Sequence, residues 1–257
     1  MDKMIKKLVI PFSSKIVKEI DLLFLTNSIY SIKKVGYEIL FVTEESYWEL
    51  VKDRLRFIVN DNELLFIENK YNTYYGTYKF NYYNYLIENW DNSVMVIDYD
   101  TYLNDKFIEP EGYDILCSTF NYNTHHDIRY TNSLGIKHSG KLVSINAGLM
   151  KFNNLDTLIK YYELVNRKDI LNDFNVMYYE QILPVLSLDI TWGYYYDSRS
   201  PVNPPYWHTS THLLECHVDF TNKDNQFSHF MGNLKHDKYL LSLLNDNLKV
   251  IYKEYNI

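Results

Sequence analysis

Short apolar runs alternate along this chain with segments in which apolar residues recur every three or four positions. Residues 7–12, 38–42 (EILFV), 63–67 (ELLFI) and 94–97 (VMVI) are compact apolar runs. Runs of that length suit strands covered on both faces. Between them, Ile16, Ile20, Leu23 and Asn27 share one helical face, as do Tyr47, Leu50, Val51, Leu55 and Ile58, and then Phe80, Tyr83, Ile87 and Trp90. Pro11 closes the first run, and Ser13-Ser14 are candidate N-caps for the first helix. Gly36 breaks the chain before the second strand. Strand, helix, strand, helix, strand predicts βαβ units: an α/β fold with a mixed, mainly parallel, Rossmann-like sheet flanked by helices.

Beyond residue 103 the pattern is less regular. Residues 113–118 and 141–145 read as strands, Asn154 or Asp156 as the start of a helix running to about Arg167, and 189–193 as a short strand. A helix beginning near Tyr178 is complicated by Pro184, and residues 194–212 read as loop. The last helix, about 236–252, places Tyr239, Leu240, Leu243, Leu244 and Leu248 on one face. Residues 121–140 form a long polar stretch containing His125-His126. These are expected to be exposed loop histidines, because adjacent residues rarely aim at one ion. With no internal repeat and no linker, the 257 residues are expected to form one domain, with a nucleotide-binding half over about 1–103 and an acceptor half over about 104–257.

Composition narrows the function. The chain is 46% hydrophobic, which suits a sizeable core, and its net charge of -7 gives no general signal for nucleic acid. Cys117 and Cys216 lie far apart, which fits reduced intracellular thiols better than a disulfide framework. The apolar run at the N-terminus is too short for a signal sequence, and no stretch approaches a membrane span. A cytoplasmic protein without an integral membrane segment is expected. The 26 tyrosines reflect either a biased base composition or surfaces that stack on sugars.

The candidate chemistry lies at the end of the fourth apolar run. Val94-Met95-Val96-Ile97 leads into Asp98-Tyr99-Asp100. In extended backbone, residues i and i+2 point the same way, so the two carboxylates can address one spot at the carboxyl rim where such sheets bind ligands. Oxygen-seeking cations such as Mn²⁺ or Mg²⁺ suit that pair. The bland alternative is a strand ending in a solvated turn with ordinary surface aspartates. Likewise, Asn146-Ala147-Gly148 reads as a turn with Gly148 at positive φ, His229 as a buried structural histidine, and Lys235 as a residue at the start of the last helix.

Taken together, three stretches change that picture. Asp98-Tyr99-Asp100-Thr101, then Ile145-Asn146-Ala147-Gly148-Leu149-Met150, then His229-Phe230-Met231-Gly232-Asn233-Leu234-Lys235 occur in this order. They resemble motifs of the retaining GT-A glycosyltransferases, particularly glycosyltransferase family 8, which includes glycogenin and bacterial lipopolysaccharide galactosyltransferases. Glu180-Gln181 stands where that family usually has Asp-Gln. The resemblance implies that Asp98, Asp100 and His229 hold Mn²⁺ (or Mg²⁺) on a nucleotide diphosphate. It also implies that Gly232 and Lys235 lie at the diphosphate, with Lys235 in contact with it, that Lys79 contacts the donor, and that Asn146 and Gln181 reach the donor sugar or reaction centre. Glu180 carries one methylene more than the family's Asp. Phe12 occupies a place where the family has small residues, and its ring is a candidate stacking face for the base.

The implied activity is transfer of a sugar from a UDP-sugar, with retention, to a carbohydrate, glycan or protein acceptor. Trp192, Tyr194, Tyr195, Tyr196, Tyr206 and Trp207 form either an acceptor platform or loop packing. A catalytically inactive carbohydrate- or nucleotide-binding protein on the same fold is one alternative. A nucleotidyltransferase is another, but it calls for a glycine-rich loop after the first strand, and residues 11–18 (PFSSKIVK) contain no glycine.

Overall fold

The computed structural model describes residues 4–70, 78–107, 109, 112–119, 130–131, 137–138, 145–165, 188, 190, 192–196, 227–230 and 235–257. In chain order the elements are β1 (Lys7–Pro11), α1 (Glu19–Val35), β2 (Glu38–Thr43), α2 (Glu45–Leu55), β3 (Leu64–Phe66), α3 (Lys79–Glu88), β4 (Val94–Ile97), β5 (Thr101–Leu103), β6 (Ile115–Thr119), β7 (Tyr130–Thr131), β8 (Lys137–His138), β9 (Ile145–Phe152), α4 (Leu155–Val165), β10 (Trp192–Tyr196), β11 (Phe227–His229) and α5 (Lys238–Glu254). A seven-stranded sheet has the order β10-β6-β9-β4-β1-β2-β3. Its first half is parallel, β4-β1-β2-β3, as the βαβ pattern predicts. β9 runs antiparallel to both of its neighbours, β4 and β6, and so makes the sheet mixed.

Strand alternation divides the core into two layers. Leu8, Ile10, Met95, Ile97, Leu116 and Leu149 face α1, α2 and α5. Val9, Val94, Val96, Ile115, Cys117 and Met150 face α3 and α4. On that second side the Tyr83 ring meets Phe152 and Tyr161 edge-on, at 5.5 Å and 5.9 Å. α1 is buried at every position from Leu22 to Ile32, as expected of a helix sandwiched between a sheet and another helix. Its Asn27 amide is satisfied by Leu23 O at 2.8 Å and by Asn247 on α5, which donates to Asn27 Oδ1 at 2.7 Å.

Several expectations are corrected. α1 does not start after Ser13-Ser14; it starts at Glu19, because the Ser13 hydroxyl donates to Glu44 Oε2 at 2.6 Å, a partner beyond β2. Leu50, assigned to the apolar stripe of α2, is 59% exposed, whereas Trp48 is buried. β4 stops at Ile97, and Tyr99-Asp100 form a turn before β5, which pairs antiparallel with β11. Asn146-Ala147-Gly148 is not a turn but the start of β9, and Gly148 does not adopt positive φ. α5 begins at Lys238, where the Asp237 side chain accepts from the Leu240 N–H at 2.8 Å, the N-cap arrangement. Pro184 and His125-His126 lie outside the described residues. No helix among the described residues is long and apolar enough to cross a membrane.

Candidate metal centre

β4 lies beside β1, the point where strand order reverses in open sheets of this kind and ligands bind. At its carboxyl end the Asp98 N–H donates to Gly148 O at 2.7 Å, which ties the acidic turn to β9. The Phe230 N–H donates to Asp100 O at 2.9 Å, and His229 pairs with Thr101 in the β5–β11 ladder. Two short ladders therefore bring three distant sequence segments to one place. The carboxylates converge through the turn at Tyr99-Asp100 rather than through strand alternation.

Ligating atoms of Asp98, Asp100 and His229 lie within 4.8 Å of one another. His229 Nε2 is 3.2 Å from Asp100 Oδ1 and 3.7 Å from Asp98 Oδ2. The imidazole and Asp100 are buried, while the Asp98 side chain is 32% exposed and gives the cluster its opening. Two lysines bracket it. Lys79 Nζ lies 3.1 Å from both Asp98 Oδ1 and the carbonyl oxygen of Ala147. Lys235 Nζ lies 2.7 Å from Asp100 Oδ2. Burial works against ionisation of Asp100, but the Lys235 charge, reinforced by His229, outweighs it and holds the carboxyl well below the usual carboxylate range.

The residues fit a divalent cation. Two carboxylates and an imidazole nitrogen form a mixed oxygen–nitrogen donor set of the kind that holds a divalent cation. Asp100 Oδ1 is fully buried, and although His229 Nε2 is close, no N–H is aligned on it, so one carboxylate oxygen is left without a hydrogen bond. Such an oxygen is costly unless something positive completes it.

Gly148 is part of this geometry for a steric reason. A Cβ there would come within 2.1 Å of His229 Cε1, 2.8 Å of Nδ1 and 2.9 Å of Nε2. The bare backbone of β9 is what lets the imidazole lie against it. Sequence reading singled out this glycine for turn geometry and missed its packing. The signal available was only its place in a motif beside a histidine motif.

The other expected residues distribute as follows. Phe12 is 2% exposed, with its ring 4.2 Å from Tyr99 and 5.5 Å from Tyr47, so a base stacking on it has to displace one of them. Asn146 lies on β9 opposite Ser118 of β6. Trp192 and Tyr194–Tyr196 lie on β10, a strand over sequence that was expected to be largely loop. Glu180, Gln181, Gly232, Tyr206 and Trp207 lie outside the described residues. The Tyr99 hydroxyl accepts from Lys235 Nζ at 2.9 Å, a contact that nothing in the sequence pointed to.

No protein-family model matches the chain, and no curated protein matches its sequence. Solved structures do match in shape. An active-site mutant of LgtC aligns over 94% of this chain and 95% of its own, at 13% identity and a TM-score of 0.52. Mouse xyloside xylosyltransferase 1 aligns over 89% of this chain and 97% of its own, at 14% identity and a TM-score of 0.49. The glycosyltransferase GlyE of Streptococcus pneumoniae aligns over 95% of this chain and 64% of its own, at 11% identity and a TM-score of 0.46. The likeness to LgtC is one of fold: a mixed, mainly parallel α/β sheet of Rossmann type, flanked by helices.

Proposed function

We propose that this chain is a metal-dependent glycosyltransferase that moves a sugar from a UDP-sugar to a carbohydrate, glycan or protein acceptor, with retention. One observation carries the reading. Asp98 and Asp100 from one segment and His229 from a distant one come to within 4.8 Å, with Lys79 and Lys235 on their flanks, at the ligand edge of the sheet. The three motif stretches that resemble family 8 enzymes are the stretches that build this cluster.

Asp98, Asp100 and His229 would hold the ion. When bound, a divalent cation supplies Lewis acidity for the negative charge that builds on a departing diphosphate. Lys235 adds a compact positive charge to the same oxygens. Lys79 fixes the Asp98 carboxylate against Ala147 O, and Gly148 fixes the imidazole. Asn146 and Gln181 take the donor sugar and the reaction centre, and Glu180 supplies a carboxylate near the anomeric carbon, where positive charge develops.

The first test is thermal. A ligand that binds only the folded state raises its stability by mass action, so Mn²⁺ with UDP should raise the unfolding midpoint, and Asp100→Ala should abolish that rise. The reading fails if no nucleoside diphosphate with Mn²⁺ shifts the midpoint. Slow hydrolysis of a panel of UDP-sugars would then name the donor.

A further inference from the structure

We infer that Lys235 is a resident counter-cation for Asp100, held at that post by Tyr99, and that a divalent ion binds by taking Asp100 away from it. The inference rests on the metal site proposed above. Lys235 Nζ is 2.7 Å from Asp100 Oδ2, 2.9 Å from the Tyr99 hydroxyl and 4.5 Å from the centre of the Tyr99 ring. Tyr99 is itself fixed. Its hydroxyl donates to Asp21 Oδ1 at 3.0 Å, in the first turn of α1, and its ring packs on Phe12. With its proton given to Asp21, the phenolic oxygen turns its lone pairs to the lysine.

The consequence is electrostatic. Asp98 is matched by Lys79 and Asp100 by Lys235, so the two carboxylates are balanced by two ammonium groups within the fold. A buried carboxylate without a cation is costly, and Lys235 meets that need at Asp100. An incoming divalent ion competes with Lys235 for this carboxylate. A diphosphate relieves the competition, because it offers the displaced ammonium new oxygens. Ion and diphosphate therefore help each other to bind through Lys235, in addition to any direct bond between them. Tyr99 is a positioning residue here: it keeps hold of Lys235 after Asp100 has changed partner. The Lys235 side chain is 18% exposed, so the fold does not seal it in.

The experiment is a titration of the full chain with Mn²⁺ alone, and with Mn²⁺ at saturating UDP, following free Mn²⁺ by electron paramagnetic resonance. Lys235→Met should bind Mn²⁺ alone about tenfold more tightly than the parent, the scale of one charge-assisted hydrogen bond. The same variant should show a smaller gain in Mn²⁺ affinity from UDP. Lys235→Gln, uncharged but still polar, should repeat both effects and serves if the methionine perturbs the fold. Tyr99→Phe, which takes away the second anchor of Lys235, should tighten binding of Mn²⁺ alone in the same direction as the Lys235 variants but by less, and should bind UDP less tightly once Mn²⁺ is present; no change in either removes Tyr99 from the inference. Unchanged or weaker Mn²⁺ binding in both Lys235 variants overturns the inference and leaves the metal site standing. If the parent binds no Mn²⁺ with or without UDP, the inference and the proposed function fall together.

Discussion

Strand β9 carries a cluster of buried charge near each end. Near its carboxyl end, Lys151 has a fully buried side chain that pairs with Glu109 and lies 3.0 Å from the Tyr113 hydroxyl. Tyr113 also donates to Glu109, whose other oxygen accepts the Ile5 N–H at 3.1 Å. Both Glu109 oxygens are thus engaged, and the cluster ties the chain before β1 to the far side of β4. Near the amino end, Ala147 and Gly148 back the Asp98–Asp100–His229 group, where Asp98 is one-third exposed and Asp100 Oδ1 has no aligned donor. Both clusters join lysine to carboxylate against the same strand. They differ in access to solvent and in one buried oxygen, Asp100 Oδ1, that makes no regular hydrogen bond. The sealed cluster fixes the chain, and the one that opens at the ligand edge is the one we assign to binding.

The comparison is most easily broken at Lys151. Its replacement by Met leaves Glu109 without its cation, and losing one member of a buried pair costs roughly 3–5 kcal/mol. Urea unfolding should register that loss, while the midpoint shift with Mn²⁺ and UDP should persist. Adding Glu109→Gln, which removes the charge, keeps one oxygen to accept the Ile5 N–H and lets the Tyr113 hydroxyl accept from the amide NH₂, should return part of it. If Lys151→Met costs little stability and removes the ligand response, the two clusters have been assigned the wrong way round.

Gly148→Ala is expected next in size. The added methyl meets the His229 ring, and forced overpacking typically costs about 1–3 kcal/mol. It should also weaken Mn²⁺ binding, because the imidazole has to turn. In a His229→Ala background the stability cost should vanish, since the atoms that clash have gone. A penalty that persists there would mean that Gly148 matters to β9 itself and not to the metal centre.

Sequence periodicity was enough for β1, β2 and β4, because a strand buried on both faces has to be an apolar run. It was also enough for α4, whose start is marked by Asn154 accepting from the Thr157 N–H at 2.8 Å. The start of α1 was not legible, because the local capping signal of Ser13 is overridden by a partner 31 residues away. At the site, residue types and motif order singled out residues that the fold brings together, but not how they meet. Asp98 and Asp100 converge through a turn closed by β5–β11 pairing, a contact between segments more than a hundred residues apart. Gly148 and Lys151 were both misjudged or passed over, for one reason: their roles depend on the side chain across from them. A lysine inside the run Leu149-Met150-Lys151-Phe152 was the available sign of a buried ion pair, and nothing local pointed to Glu109.

The smallest stability effect should come from Asp98→Asn, and it separates the two clusters most cleanly. Asp98 is the exposed member of its group, so water can replace what the charge provides, and its lysine keeps a second acceptor in Ala147 O. Lys79 is buried and loses a charged partner, but the amide oxygen can still accept from it, so the loss in urea should be smaller than for Lys151→Met. The amide keeps the shape of the carboxylate but presents only one oxygen and no charge, so the Mn²⁺-dependent rise in midpoint should disappear. A variant as stable as the parent yet silent to Mn²⁺ and UDP places the cluster at the ligand edge for binding rather than for folding. A variant that instead loses several kcal/mol would put Asp98 in the same structural class as Glu109, and the distinction between an open and a closed cluster would have to be abandoned.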